Sequence, residues 1–205
     1  MVASKLGKIL IVNTGPTEFE RHGSYPCAES GDLEAPLSRW AQAVAKRLAD
    51  YQLTAVYACP VPGAVEMGDI IVGSLGLKTM SMPALEGAGL EHWKGLRPEE
   101  VASMDDCSGG AARASYKLPF EDVDRLKKKV AAALDSLAAN HKKETVAVIS
   151  HRALSVIMIL HLLNMQEKHY RQIAQDPGAI NLFEVRSGMP SALIINDTCH
   201  LDGLI

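Results

Sequence analysis

Two spacings of apolar residues alternate along the chain. Residues 8–12, KILIV, are a continuous apolar run that stops at Asn13-Thr14-Gly15, the pattern of a short buried strand. After Pro36, the stretch LSRWAQAVAKRLADY places Leu37, Trp40, Ala41, Val44, Leu48 and Tyr51 three or four positions apart. That spacing is one face of a helix, and proline suits its first turn. TAVYA, 54–58, reads as a second strand ended by Cys59-Pro60, and a helix over about 63–75 follows, closed by Gly76. Phe120, Val123, Leu126, Val130, Leu134 and Leu137 mark a long amphipathic helix. TVAVIS, 145–150, is a third clear strand, and LSVIMILHLL, 154–163, is apolar nearly all round, as a buried helix would be. INLFEV and ALIIN, near 180–185 and 192–196, are late strands.

Strands alternating with helices predict an α/β fold. The expected form is a three-layer αβα sandwich around a mostly parallel sheet of about six strands. Ligands of such sheets gather at the carboxyl ends of the strands. Four ends therefore matter: Asn13-Thr14-Gly15, Cys59-Pro60, Ser150-His151 and Asn196-Asp197-Thr198. The region 83–118 is rich in loops, and a loop of that length is commonly functional. It is expected to cap a single domain spanning 1–205.

Composition narrows the class. The chain has 205 residues, 47% hydrophobic and 22% charged, enough apolar material for one sizeable core. Aromatics are 5%, so that core must be mostly aliphatic. The net charge is −3, and the one short basic run, Lys127-Lys128-Lys129, falls on a predicted helix as a solvated face. Nucleic acid and acidic membrane are poor partners for such a chain. Cys27, Cys59, Cys107 and Cys199 form no CxxC pair, and no two histidines share an HxxxH spacing. Neither a metal nor another cofactor is expected. The start, MVASKLGK, lacks a long apolar segment, and no stretch reaches the roughly 20 apolar residues that span a bilayer. A soluble cytoplasmic protein with a small-molecule substrate is expected, with a homodimer left open.

The strand ends, read in order, resemble the histidine phosphatase superfamily, or phosphoglycerate mutase-like family. ILIVNTGPTE resembles that family's first strand and its Arg-His-Gly-Glu-Thr turn. APLSRWAQAVAKRLADYQLTAVYACPVPGA resembles its helix, second strand and Ser-Pro-x-x-Arg-Ala turn. LEGAGLEHWKGLRPEEV resembles its Glu-bearing loop before Trp-x-Gly-Leu, and YKLPFED its entry to the long helix. VAVISHRAL resembles its Ser-His-Gly turn, and NDTCHL its closing Asn-Asp-Thr-x-His-Leu.

The resemblance implies a chemistry. In that family the first-turn His is phosphorylated, two Arg and a second His hold the phosphoryl group, and an acid protonates the leaving oxygen. The nucleophile must be a deprotonated imidazole, and guanidinium forks suit the charged oxygens. Carried over by position, the first Arg falls on Asn13, the nucleophilic His on Thr14, the second Arg on Gly63 and the acid beside Gly87, next to Glu86. The second His remains as His151, followed by Arg152 in place of Gly. Thr14 cannot replace a phosphohistidine without a strong base beside it, and Gly63 offers nothing to a phosphate. At about 1.5–3 kcal/mol per charge-assisted hydrogen bond, losing the forks is severe.

These losses imply a degenerate site that is neither phosphatase nor mutase. The expected function is a repurposed enzyme acting by deprotonation on a non-phosphorylated molecule: a cyclisation, isomerisation or elimination, such as natural-product biosynthesis uses. The alternative is an inactive pseudophosphatase that binds or regulates. His151 is the expected base and Glu86 its partner. Asn13, Thr14, His22, Cys59, Gly63, His92, Arg152 and His200 are the expected substrate contacts. Arg21-His22-Gly23 mimics the missing motif but lies in the loop after the first turn, so His22 could reach the pocket only from that loop. Residual phosphatase activity through His22 is a third reading.

Overall fold

The computed structural model describes residues 7–15, 35–85, 120–186 and 188–204. Ten elements follow one another: β1 (Lys8–Asn13), α1 (Ala35–Leu48), β2 (Ala55–Ala58), α2 (Pro62–Leu75), β3 (Thr79–Ser81), α3 (Phe120–Asn140), β4 (Thr145–Ser150), α4 (Arg152–Leu162), β5 (Ile180–Arg186) and β6 (Met189–Asp197). The strands form one sheet in the order β3-β2-β4-β1-β5-β6. β3, β2, β4 and β1 pair in parallel, whereas β5 runs antiparallel to β1 and β6 antiparallel to β5. The fold is the expected αβα sandwich, with a mixed sheet.

Sequence chemistry explains the order. Ile9, Leu10, Ile11 and Val12 of β1 are fully buried, and so are Val146, Ala147, Val148 and Ile149 of β4. Strands covered on both faces read as continuous apolar runs, and these two lie side by side at the centre. α1 packs on α2, and α3 on α4. α4 buries nine of its eleven residues, Ala153 to Leu160 and Leu162, which accounts for its apolar circumference. α2 stops at Gly76, whose φ of +67° supplies the left-handed cap and whose N–H bonds Val72 O.

β3 went unpredicted because its three residues are too short for a pattern and only partly buried. β6 is longer than ALIIN suggests, since edge position lets exposed Met189 and Pro190 join the pairing with Arg186 and Val185. The proposed cap over 83–118 lies almost wholly outside the described residues.

The amino edge of the sheet carries its own clasp. Tyr57 Oη and His141 Nε2 lie 2.7 Å apart, and His141 Nδ1 lies 2.7 Å from Glu144 Oε2. Thr54 Oγ1 donates to the same carboxylate oxygen at 3.1 Å. The clasp joins β2, the end of α3 and the start of β4. Burial, aided by the Glu144 charge, pushes the Tyr57 hydroxyl up, so it stays protonated and can donate to His141. His141→Ala should lower unfolding stability by about 1 kcal/mol, read from urea denaturation. In a double-mutant cycle with Tyr57→Phe the two losses should not add; full additivity would show that the pair does not interact.

Candidate active site

The carboxyl edge is built from β1 and β4 lying in register, Asn13 opposite Ser150. Thr14 N–H donates to Ser150 O at 2.8 Å, so the first turn is fixed to the start of the next one. β6 returns to this edge because two successive antiparallel pairings restore the direction of β1, and Asp197 pairs with Ile180. β5 begins here, so the segment 174–179 before it also belongs to the site. That segment was missed in the sequence, although Asp176-Pro177-Gly178 is a turn signature.

Asn13 is 1% exposed, and its side chain serves that segment. Nδ2 donates to Asp176 O at 2.8 Å and to Gln175 O at 3.5 Å. Both partners are carbonyls, which only accept, so the amide orientation is fixed and Oδ1 faces the other way. Asn13 Oδ1 is buried without a hydrogen-bond partner. Behind it, Gln175 and Asn181 exchange amide hydrogen bonds at 2.7 and 2.8 Å, and Asn181 Nδ2 also donates to Ile11 O. Asn196 closes the network, with Nδ2 on Asp176 Oδ2 at 2.8 Å and Oδ1 accepting from Asp176 N–H at 2.7 Å. Gly178 is required at its place. Its φ is +70°, and a Cβ would lie 2.8 Å from Leu201 Cδ1 and 3.0 Å from Trp40 Cε3.

His151 precedes the first residue of α4 and accepts Ser155 N–H on its carbonyl. Its ring is partly exposed, yet Nε2 itself is closed from water and has no partner. Burial lowers its pKa to about 4, so the imidazole is neutral at physiological pH. The amides that open α4 precede that first intrahelical bond and lie at the same edge. Ser150, beside it, shares a hydrogen bond with Ser155 at 2.7 Å.

The other expected contacts divide. Thr14 is buried at the edge, and Arg152 is the first residue of α4, with an interaction of its own. Cys59 is wholly buried and burial raises its thiol pKa far above neutrality, so it stays protonated and is no nucleophile. Gly63 lies in the first turn of α2, and nothing stands within 4 Å of a Cβ built there. His200 is half-buried; its Nε2 lies 3.1 Å from Gly178 O, Nδ1 has no partner, and burial lowers its pKa. Arg47 approaches Asp197 at 3.5 Å and the Tyr51 ring at 5.6 Å, tying α1 to the end of β6. His22, Glu86 and His92 lie outside the described residues. Among the described residues, no three His, Cys, Asp or Glu are placed to hold a metal, and no helix is long and apolar enough to cross a membrane.

Comparison with known proteins identifies relatives of this arrangement. The model of the histidine phosphatase superfamily, branch 1, matches residues 14–198. A phosphoserine phosphatase mutant from Entamoeba histolytica, solved with phosphoserine, superposes with a TM-score of 0.73 at 23% identity, covering 95% of this chain and 98% of that one. YhfR of Bacillus stearothermophilus gives 0.77 at 18%, again over 95% and 98%. The mycobacterial glucosyl-3-phosphoglycerate phosphatase bound to VO3 gives 0.72 at 14%, over 94% and 100%. Among curated proteins no match is found.

These matches correct the functional expectation. A non-phosphatase cyclase, isomerase or lyase has no support among them, nor has a pseudophosphatase; the matching family is the histidine phosphatase superfamily, and the Entamoeba histolytica and mycobacterial neighbours are phosphatases. The physical error was to count only side chains: the guanidinium forks lost at Asn13 and Gly63 and the imidazole lost at Thr14. Backbone N–H groups at the start of a helix also favour an anion, and no described residue stands within 4 Å of a Cβ built at Gly63.

The neutral imidazole makes stability depend on pH. Below about 6.5 the unfolded chain binds a proton at His151 that the folded chain refuses until about 4. Stability therefore falls as pH drops through that window, by about 3 kcal/mol in all. His151→Gln should flatten the fall in urea midpoint between pH 7 and 4.5; equal slopes for parent and variant would exclude this imidazole as the source.

Proposed function

The chain belongs to the histidine phosphatase superfamily, branch 1, and on that premise we propose that it hydrolyses a phosphomonoester at the carboxyl edge of β1 and β4. The observation that carries this reading is His151. It is neutral, its Nε2 is unpartnered, and it sits at the N-terminus of α4. In the tautomer with its proton on Nδ1, neutral His151 presents at Nε2 the lone pair that attack on phosphorus requires, and Thr14 in the neighbouring turn has no comparable group.

In this proposal His151 Nε2 bonds to phosphorus as the P–O ester bond breaks. The departing oxygen takes a proton from an acid, for which Glu86, beside the family's acid position, is the sequence candidate. Water then attacks the phosphohistidine, releasing inorganic phosphate and restoring the imidazole. The α4 amides and Arg152 are the groups offered to the phosphoryl oxygens. The Entamoeba histolytica and mycobacterial neighbours are phosphatases, which supports the reaction class, while identities of 23% and 14% leave the leaving group unassigned.

The test is turnover of a generic aryl phosphate with trapping of the intermediate. The parent should release phosphate and yield an acid-labile adduct on His151, and His151→Ala should lose both. Turnover that survives His151→Ala undiminished would end the role given to this residue.

Position 63 supplies a converse experiment. Among the described residues nothing stands within 4 Å of a Cβ built there, and arginine is a better helix former than glycine. Gly63→Arg should fold at least as stably as the parent and raise kcat/KM for the aryl phosphate about tenfold or more through a new fork. No gain in a folded variant would place the reacting phosphorus away from α2.

A further inference from the structure

Asn13 Oδ1 is a buried acceptor with nothing to accept from. Its own Nδ2 is committed to Asp176 O and Gln175 O, so rotation of the amide cannot put a donor in the place of Oδ1 without breaking both bonds. An orphaned buried carbonyl oxygen is costly, by about 1–3 kcal/mol, and a ligand that brings a hydrogen there recovers that cost. A doubly charged phosphomonoester carries acceptors alone and would set oxygen against oxygen. The singly charged form keeps one P–OH group, which is a donor.

We infer that Asn13 selects the singly charged form of the phosphomonoester, the P–OH hydrogen being donated to Asn13 Oδ1 while the remaining oxygens face the amides of α4. The inference rests on the phosphomonoester reading above and adds to it the protonation state of the substrate. It also fits the charge of the site. A cleft with Asn13 and Gly63 at two of its positions has less positive charge to offer a dianion than guanidinium groups there would supply. Among the described residues, the titratable and charged groups on the elements around Asn13 are few. They are Asp176, which accepts from Asn196; Asp197, beside Arg47; His200, on Gly178 O; Arg152; and His151, neutral above about pH 4. None of these needs to change charge for the selection to operate, since the proton is the ligand's.

The experiment uses benzylphosphonate, which has no ester bond to hydrolyse, and benzylsulfonate, which carries one negative charge and no hydroxyl. Affinities are measured by calorimetry on the full chain between pH 5 and 8, with the ionisation of the phosphonate followed by phosphorus NMR. Benzylphosphonate should weaken about tenfold per pH unit above its second ionisation, in step with the loss of its singly charged form. Benzylsulfonate should bind at least about tenfold less tightly at pH 5 and show no such slope, because an unmade hydrogen bond to a buried acceptor costs about that much. Asn13→Arg, which replaces the acceptor by a donor, should abolish the slope. Benzylphosphonate affinity that is flat or rises with pH overturns the selection and leaves the phosphomonoester site standing. Equal affinity for the sulfonate at pH 5 also overturns it. Absence of phosphonate binding at every pH removes both readings.

Discussion

Everything at the working edge of this molecule depends on the in-register pairing of β1 with β4. Lys8 faces Thr145 and each following residue keeps step, up to Asn13 against Ser150. Both strands are buried on both sides, so a shift of one residue would carry a row of apolar side chains to the wrong face. That penalty fixes where the two strands end. With the ends fixed, Thr14 N–H reaches Ser150 O, His151 falls at the head of α4, and two turns distant in sequence become one site.

Around this pairing the edge is furnished with polar groups that the core would otherwise exclude. Gln175 and Asn181 are fully buried and satisfy one another through two amide hydrogen bonds. Asn13 and Asn196 extend that network to the segment 174–179 and hold it against β1 and β6. In a low-dielectric interior such a network is stable only when it is nearly complete. Among the described residues, its edge leaves Asn13 Oδ1, His151 Nε2 at the head of α4 and His200 Nδ1 beside Gly178 without partners. Such vacancies in an otherwise satisfied polar cluster are where a ligand has something to contribute.

The substitution of Arg and His by Asn13 and Thr14 misled the sequence reading because residue identity was treated as the whole of the site. The family chemistry was inferred to be lost with its cations. Backbone groups do not show in a sequence, yet the α4 amides are polar groups at the edge in any chain that folds this way. The same blindness applies to the surroundings of Gly63, which are a fact of packing and not of composition.

The sequence alone determined the αβα architecture, the central strands, the buried α4 and the family, because apolar spacing is a local signal set by burial. It also located four of the edge turns, at Asn13, Cys59, Ser150 and Asn196, where apolar runs stop. It could not reveal that β5 and β6 reverse direction, because a short strand reads alike either way. Nor could it show that Asp176-Pro177-Gly178 comes to rest against Asn13, which is more than 160 residues away in sequence. Tertiary structure decided which atom of Asn13 is committed and which is vacant, and that His151 is neutral. Both follow from burial and from partners supplied by distant segments, and no local pattern encodes either.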